Sequence, residues 1–107
     1  MSIHEEIQAE RARQVQLWGI QKIPSVVSCP LISNTTFYAL PKEYEAKGRC
    51  DIAIKTGTVT YAHIAVEELC EAIDAPDDAT RRGELIQLAA VVESWIEIID
   101  GRLGAPK

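Results

Sequence analysis

Three glutamates, Glu67, Glu68 and Glu71, lie within one turn of sequence, and a fourth, Glu84, follows Glu71 after twelve intervening residues. At about 100° per residue, Glu67 and Glu71 stack one turn apart, Glu68 stands beside them, and Asp74 extends the same acidic stripe. Carboxylates carried on two neighbouring helices can converge on a divalent cation. Four or five acids on helices joined by a short loop suit Mg²⁺ or Mn²⁺, hard cations that take oxygen ligands and keep open positions for water and phosphate.

The elements that carry these acids have to bury something else. Ala62, Ala65, Val66, Leu69, Ala72 and Ile73 form an apolar stripe opposite Glu67, Glu68 and Glu71, so the segment also reads as an ordinary amphipathic helix with a solvated acidic face. His63 shares the acidic side and makes an i, i+4 pair with Glu67, although a helix-surface histidine is the simpler reading. In the next helix, Leu85, Leu88, Val91, Val92, Trp95, Ile96, Ile98 and Ile99 form a broad apolar arc, and Glu84 projects inside it. A carboxylate aimed at a core is costly unless a cation, a hydrogen-bond network or a raised pKa compensates it. The competing reading bends Glu84 back to water beside the favourable helix N-terminus.

Taken with their flanks, Tyr61-Ala62-His63-Ile64 before and Glu84-Leu85-Ile86-Gln87 through Val92 and Trp95-Ile96-Glu97 after, these acids resemble the metal-binding signature of the MazG-like all-α nucleoside triphosphate pyrophosphohydrolases. That signature is Glu-Glu-x-x-Glu on one helix and Glu-x-x-Asp on the next. The first half is complete here, whereas Gln87 stands where the family has Asp. Glu10-Arg11-Ala12-Arg13-Gln14 and Trp18-Gly19 extend the likeness to short viral, MazZ-like members, so it covers residues 3–19 and about 56–102.

The resemblance implies a small four-helix bundle, oligomeric, that hydrolyses a nucleoside triphosphate to the monophosphate and pyrophosphate with Mg²⁺ or Mn²⁺. Glu68, Glu71 and Glu84 would be the main ligands. Glu67 would complete the cage or orient water, making Glu67 and Glu68 the catalytic pair, and Gln87 would hydrogen-bond to a ligand. Likeness to the short viral members implies purine deoxynucleotides, dGTP and dATP, as substrates. From the residues themselves, Trp18 offers a flat face for a purine with Ile20 at its edge, or else fills the core, which its burial energy favours. Asn34 offers both a donor and an acceptor to a base edge. Lys55, just upstream of the acidic helix, could reach a phosphate oxygen. A non-catalytic helical oligomerisation or nucleotide-sensing module is the alternative class.

Composition narrows the choice. A chain of 107 residues supports one domain spanning residues 1–107, with a thin core that favours a homodimer or homotetramer. A net charge of -5 argues against nucleic acid as partner, because phosphate backbones demand basic patches. Cys29, Cys50 and Cys70 show neither C-x-x-C spacing nor paired Cys/His ligands. They read as reduced, buried small hydrophobes, consistent with a cytoplasmic setting, that of the host cell if the chain is viral. No apolar run is long enough for a membrane span and the N-terminus is too polar for a signal peptide.

Four helices are expected. The first runs from Ile3 to Trp18 with Gly19 as its stop. An irregular connection over about 20–40 follows, with Pro24, Pro30 and the polar turn Ser33-Asn34-Thr35-Thr36. Its apolar residues should pack over a neighbouring helix or subunit. Pro41 can occupy the first turn of the second helix, which ends near Thr56-Gly57. Thr58 or Thr60 caps the third, and Asp77 or Asp78 the fourth. Arg81 and Arg82 fall in that last helix's N-terminal turn, where the dipole disfavours cations, so a nearby phosphate or carboxylate is expected.

Overall fold

Local capping chemistry sets where the helices begin. In the computed structural model, which describes residues 1–20 and 22–101, the elements are α1 (Ile3–Trp18), α2 (Asn34–Phe37), α3 (Glu43–Thr56), α4 (Tyr61–Asp74) and α5 (Asp78–Ile99), with no strand among the described residues. Ser2 accepts from the Glu5 amide at 3.1 Å and Glu5 returns a bond to the Ser2 amide at 3.2 Å. Thr60, rather than Thr58, caps α4, and Asp77, rather than Asp78, caps α5 by accepting from the Thr80 amide at 2.7 Å. Gly57 closes α3 in the left-handed conformation, where a side chain would be strained.

Two expectations need correction here. Pro41 lies before α3 and not in its first turn; Lys42 is the cap residue, and Glu43 and Glu45 supply the negative charge that the helix N-terminus favours. The connection over 20–40 also contains a helix. Ser33 accepts from the Thr36 amide at 3.2 Å, starting the single turn α2, which docks on the end of α4. Both the amide and the hydroxyl of Thr35 donate to the Asp74 carboxylate at 2.8 Å, and the Asn34 side-chain amide donates to the Ile73 carbonyl at 3.0 Å. Asp74 therefore anchors the connection and does not prolong the acidic stripe.

Packing centres on α4, which lies against α3, α5 and α2. The core is built from small side chains, Ala46, Cys50, Ala53, Cys70, Ala72 and Ala75, with Ile3 added from α1. Cys50 and Cys70 thus behave as the small hydrophobes expected of them. At the far end of the α4–α5 pair, Tyr61 and Trp95 stack with centroids 6.3 Å apart and planes 14° from parallel.

The expected four-helix bundle is modified by α1. Only Ile3 of its residues is buried, and the helix meets α5 near its own start, where His4 Nε2 lies 3.2 Å from Glu93. The rest projects, so α3, α4 and α5 form the packed unit and α1 an arm. The radius of gyration, 16.1 Å, exceeds the value of about 13 Å for a compact chain of this length. Trp18 ends the arm 60% exposed, so it does not fill a core within this chain. Leu17, Leu85, Ile86 and Ile99 are similarly uncovered. No helix among the described residues is long and apolar enough to cross a membrane.

The Thr35–Asp74 contact gives a direct test of how α2 is held. Thr35 is completely buried, and Thr35→Val keeps its shape while removing the hydroxyl donor. Unfolding free energy from denaturant titration should fall by about 1–3 kcal/mol. An unchanged midpoint would show that the hydroxyl does not secure α2 to α4.

Candidate metal centre

Helical periodicity places Glu68 and Glu71 on one side of α4, and the antiparallel return of the chain brings Glu84, in the second turn of α5, opposite them. Glu68, Glu71 and Glu84 each present a carboxylate oxygen within 4.8 Å of the other two. All three residues are half-buried. The solvated acidic face is therefore not what α4 presents, and Glu84 does not bend away to open water.

Two oxygens expose the cost of this arrangement. Oε2 of Glu68 and Oε2 of Glu84 are buried with no hydrogen-bond partner among the described residues. Buried polar atoms in native proteins nearly always have partners, so two such orphans at one point need a compensating group. Burial and the facing carboxylates also alter the protonation of the site. Glu71 is pushed up to about 7, first by desolvation and then by the charge of Glu68, with Glu84 and Glu67 acting in the same direction. Desolvation and the charges of Glu67 and Glu84 raise Glu68 too. A divalent cation fits this donor set: it has only oxygen ligands, excess negative charge and unsatisfied lone pairs.

Glu67 lies outside the converging trio. It is half-buried and faces α3, where burial, followed by a hydrogen bond to Glu67, pushes the Cys50 thiol up to about 11. Gln87 is exposed one turn beyond Glu84. Lys55 is exposed in the last turn of α3. Trp18 and Ile20 border an open concavity of about 990 Å³ along α1, together with Arg11 and Ile23. Asn34 spends its amide donor on Ile73, as described above. His63 is also committed locally, its Nδ1 lying 3.0 Å from the Thr60 amide that donates to it. The structure thus brings together three of the four predicted carboxylates and leaves the proposed nucleotide contacts dispersed around them.

One polar residue at this end of the hairpin was only half anticipated. Arg81 is buried, 6% exposed, and meets the carboxylate of Asp78, the neighbour its position near a helix N-terminus required. Two further donors go to backbone carbonyls, for which the sequence carries no signal.

The raised Glu71 fixes the sign of a pH effect. Between the ordinary carboxyl range and about 7, the metal-free folded state binds more protons than the unfolded chain, so stability falls as pH rises through that window. Melting temperature in chelator should therefore drop between about pH 5 and pH 8. Glu71→Gln should flatten that slope, raise the metal-free melting temperature near pH 8, and abolish stabilisation by Mn²⁺. A variant melting below wild type in chelator at pH 8 would contradict the proposed repulsion.

No family model, curated protein or solved structure matches this chain.

Proposed function

We propose that this chain hydrolyses a nucleoside triphosphate to the monophosphate and pyrophosphate in a reaction that depends on Mg²⁺ or Mn²⁺. The observation that carries the reading is the convergence of Glu68, Glu71 and Glu84 with two orphaned oxygens. The resemblance to MazG-like pyrophosphohydrolases supplies the substrate class, with purine deoxynucleotides, dGTP and dATP, preferred. Glu68, Glu71 and Glu84 would hold the cation, which when bound would supply charge neutralisation for the triphosphate and acidify a water.

The remaining roles belong to the chain's own groups. Glu67, adjacent to the trio without converging on it, orients the attacking water and accepts its proton. Glu68 would act by helping to hold the cation, since its own negative charge repels a phosphate. Gln87 stands one turn from Glu84 and contributes hydrogen bonding where an additional carboxylate would otherwise lie. Trp18 and Ile20 receive the base on the open surface of α1, Asn34 keeps its carbonyl oxygen for a base edge, and Lys55 supplies positive charge for a phosphate. The exposed apolar residues of α1 and α5 support assembly as a homodimer or a tetramer of dimers, which would gather these dispersed contacts around the acids.

The same exposed surface favours a second reading, a helical oligomerisation module without turnover. A pyrophosphate-release screen over ribo- and deoxynucleoside triphosphates, with Mg²⁺ and with Mn²⁺, separates the two. Turnover is expected, fastest on dGTP or dATP, and Glu68→Gln and Glu71→Gln should each retain less than about a tenth of it, a loss above 1.4 kcal/mol in transition-state stabilisation. An oligomer that releases no pyrophosphate from any of them would favour the module. A monomer by light scattering at micromolar concentration would remove the assembly.

A further inference from the structure

Arg81 is a buried cation in an all-helical chain whose core is mostly small and apolar, and each of its three guanidinium nitrogens makes a hydrogen bond. Nε donates to the Ala72 carbonyl at 2.9 Å, Nη2 to the Ala75 carbonyl at 2.6 Å, and Nη1 to Asp78 Oδ1 at 2.5 Å. The two carbonyls belong to the last turn and cap of α4, while Arg81 itself is in the first turn of α5. One planar group therefore bolts the C-terminus of one helix to the N-terminus of the next. Asp78 is held from a further side, since Ser25 Oγ donates to the same Oδ1 at 2.8 Å.

The bolt sits beside the acids. Ala72 directly follows Glu71, and Glu84 lies three residues, one helical turn, beyond Arg81. Any shift of α5 along α4 would change the distance between Glu84 and the pair Glu68 and Glu71 while breaking these bonds. The charge of Arg81 is paired with Asp78. The influence is geometric.

We infer that Arg81 is a positioning residue for the three-carboxylate centre, fixing the register of α4 against α5 so that Glu84 meets Glu68 and Glu71. The inference rests on the metal-site reading above. Lysine cannot replace arginine here, because a single ammonium does not span two carbonyls and a carboxylate as the planar fork does.

Mn²⁺ affinity, measured by electron paramagnetic resonance at low temperature on protein shown by circular dichroism to be folded, tests this. Arg81→Lys should weaken Mn²⁺ binding by about tenfold or more, the loss seen when groups supporting metal ligands are removed. Asp78→Ala, which leaves the Asp77 cap in place and removes one arm of the fork, should weaken it less, in the same direction. A folded Arg81→Lys protein with wild-type affinity, even one with a lowered melting temperature, would overturn the inference and leave Arg81 a purely structural residue. If Arg81→Lys does not fold, unchanged affinity in Asp78→Ala overturns it. Wild-type protein that binds no Mn²⁺ would instead sink the metal reading and this inference with it.

Discussion

Three half-buried carboxylates that face one another across a helical hairpin are the constraint on which the rest of the structure depends. Like charges in a partly desolvated place repel, and two of their oxygens gain no hydrogen bond in return. The chain meets this cost with contacts at both ends of the hairpin: the Tyr61–Trp95 stack at one, the Arg81 fork and the Asp77 cap at the other. Small side chains at Cys70 and Ala72 on α4, and at Ala46, Cys50 and Ala53 on α3, let the helices approach closely. Burial, and then the facing charge of Glu68, push Glu71 up to about 7, and the three carboxylates could hold a cation.

The same choice of small core residues leaves the large apolar ones elsewhere. Fully burying a leucine, isoleucine or phenylalanine contributes about 1.5–3 kcal/mol, and this chain leaves Leu17, Ile20, Leu31, Ile86 and Ile99 more than half exposed. The arm formed by α1 carries part of that surface well away from the packed helices. A compact monomer would have folded the arm back; its local cap, Ser2 with Glu5, secures the helix without requiring any such contact. The proposed function and the proposed assembly therefore share a physical origin, since Trp18, assigned to the base, lies on the arm and the carboxylates lie on the hairpin.

Much of this organisation was legible in the sequence, for identifiable reasons. Long helices announce themselves by period, and the bounds of the first, Ile3–Trp18, follow from that period and from Gly19. Thr60 and Asp77 were among the named caps. Glu84 was conspicuous because it interrupted an apolar arc, and that anomaly located the second half of the site. What escaped lacked a repeating signal. The single turn α2 is too short to show a period. Helical spacing ranks Glu67 with Glu68 and Glu71, and only the position of α3 draws Glu67 towards Cys50. Amphipathicity says that a face will be covered without saying by what, so Trp18 was assigned to a core that this chain does not build around it. Arg81 was noticed for its unfavourable place near a helix N-terminus, but bonds to backbone carbonyls leave no trace in residue type.

Glu68, Glu71 and Glu84 are proposed to form one cation site. Anomalous diffraction at the manganese edge, from crystals of the protein grown with Mn²⁺, tests it most directly. A peak is expected between α4 and α5 within bonding distance of a carboxylate oxygen from each of the three residues. Manganese bound elsewhere, or a fully ordered trio with no peak at saturating Mn²⁺, would contradict it.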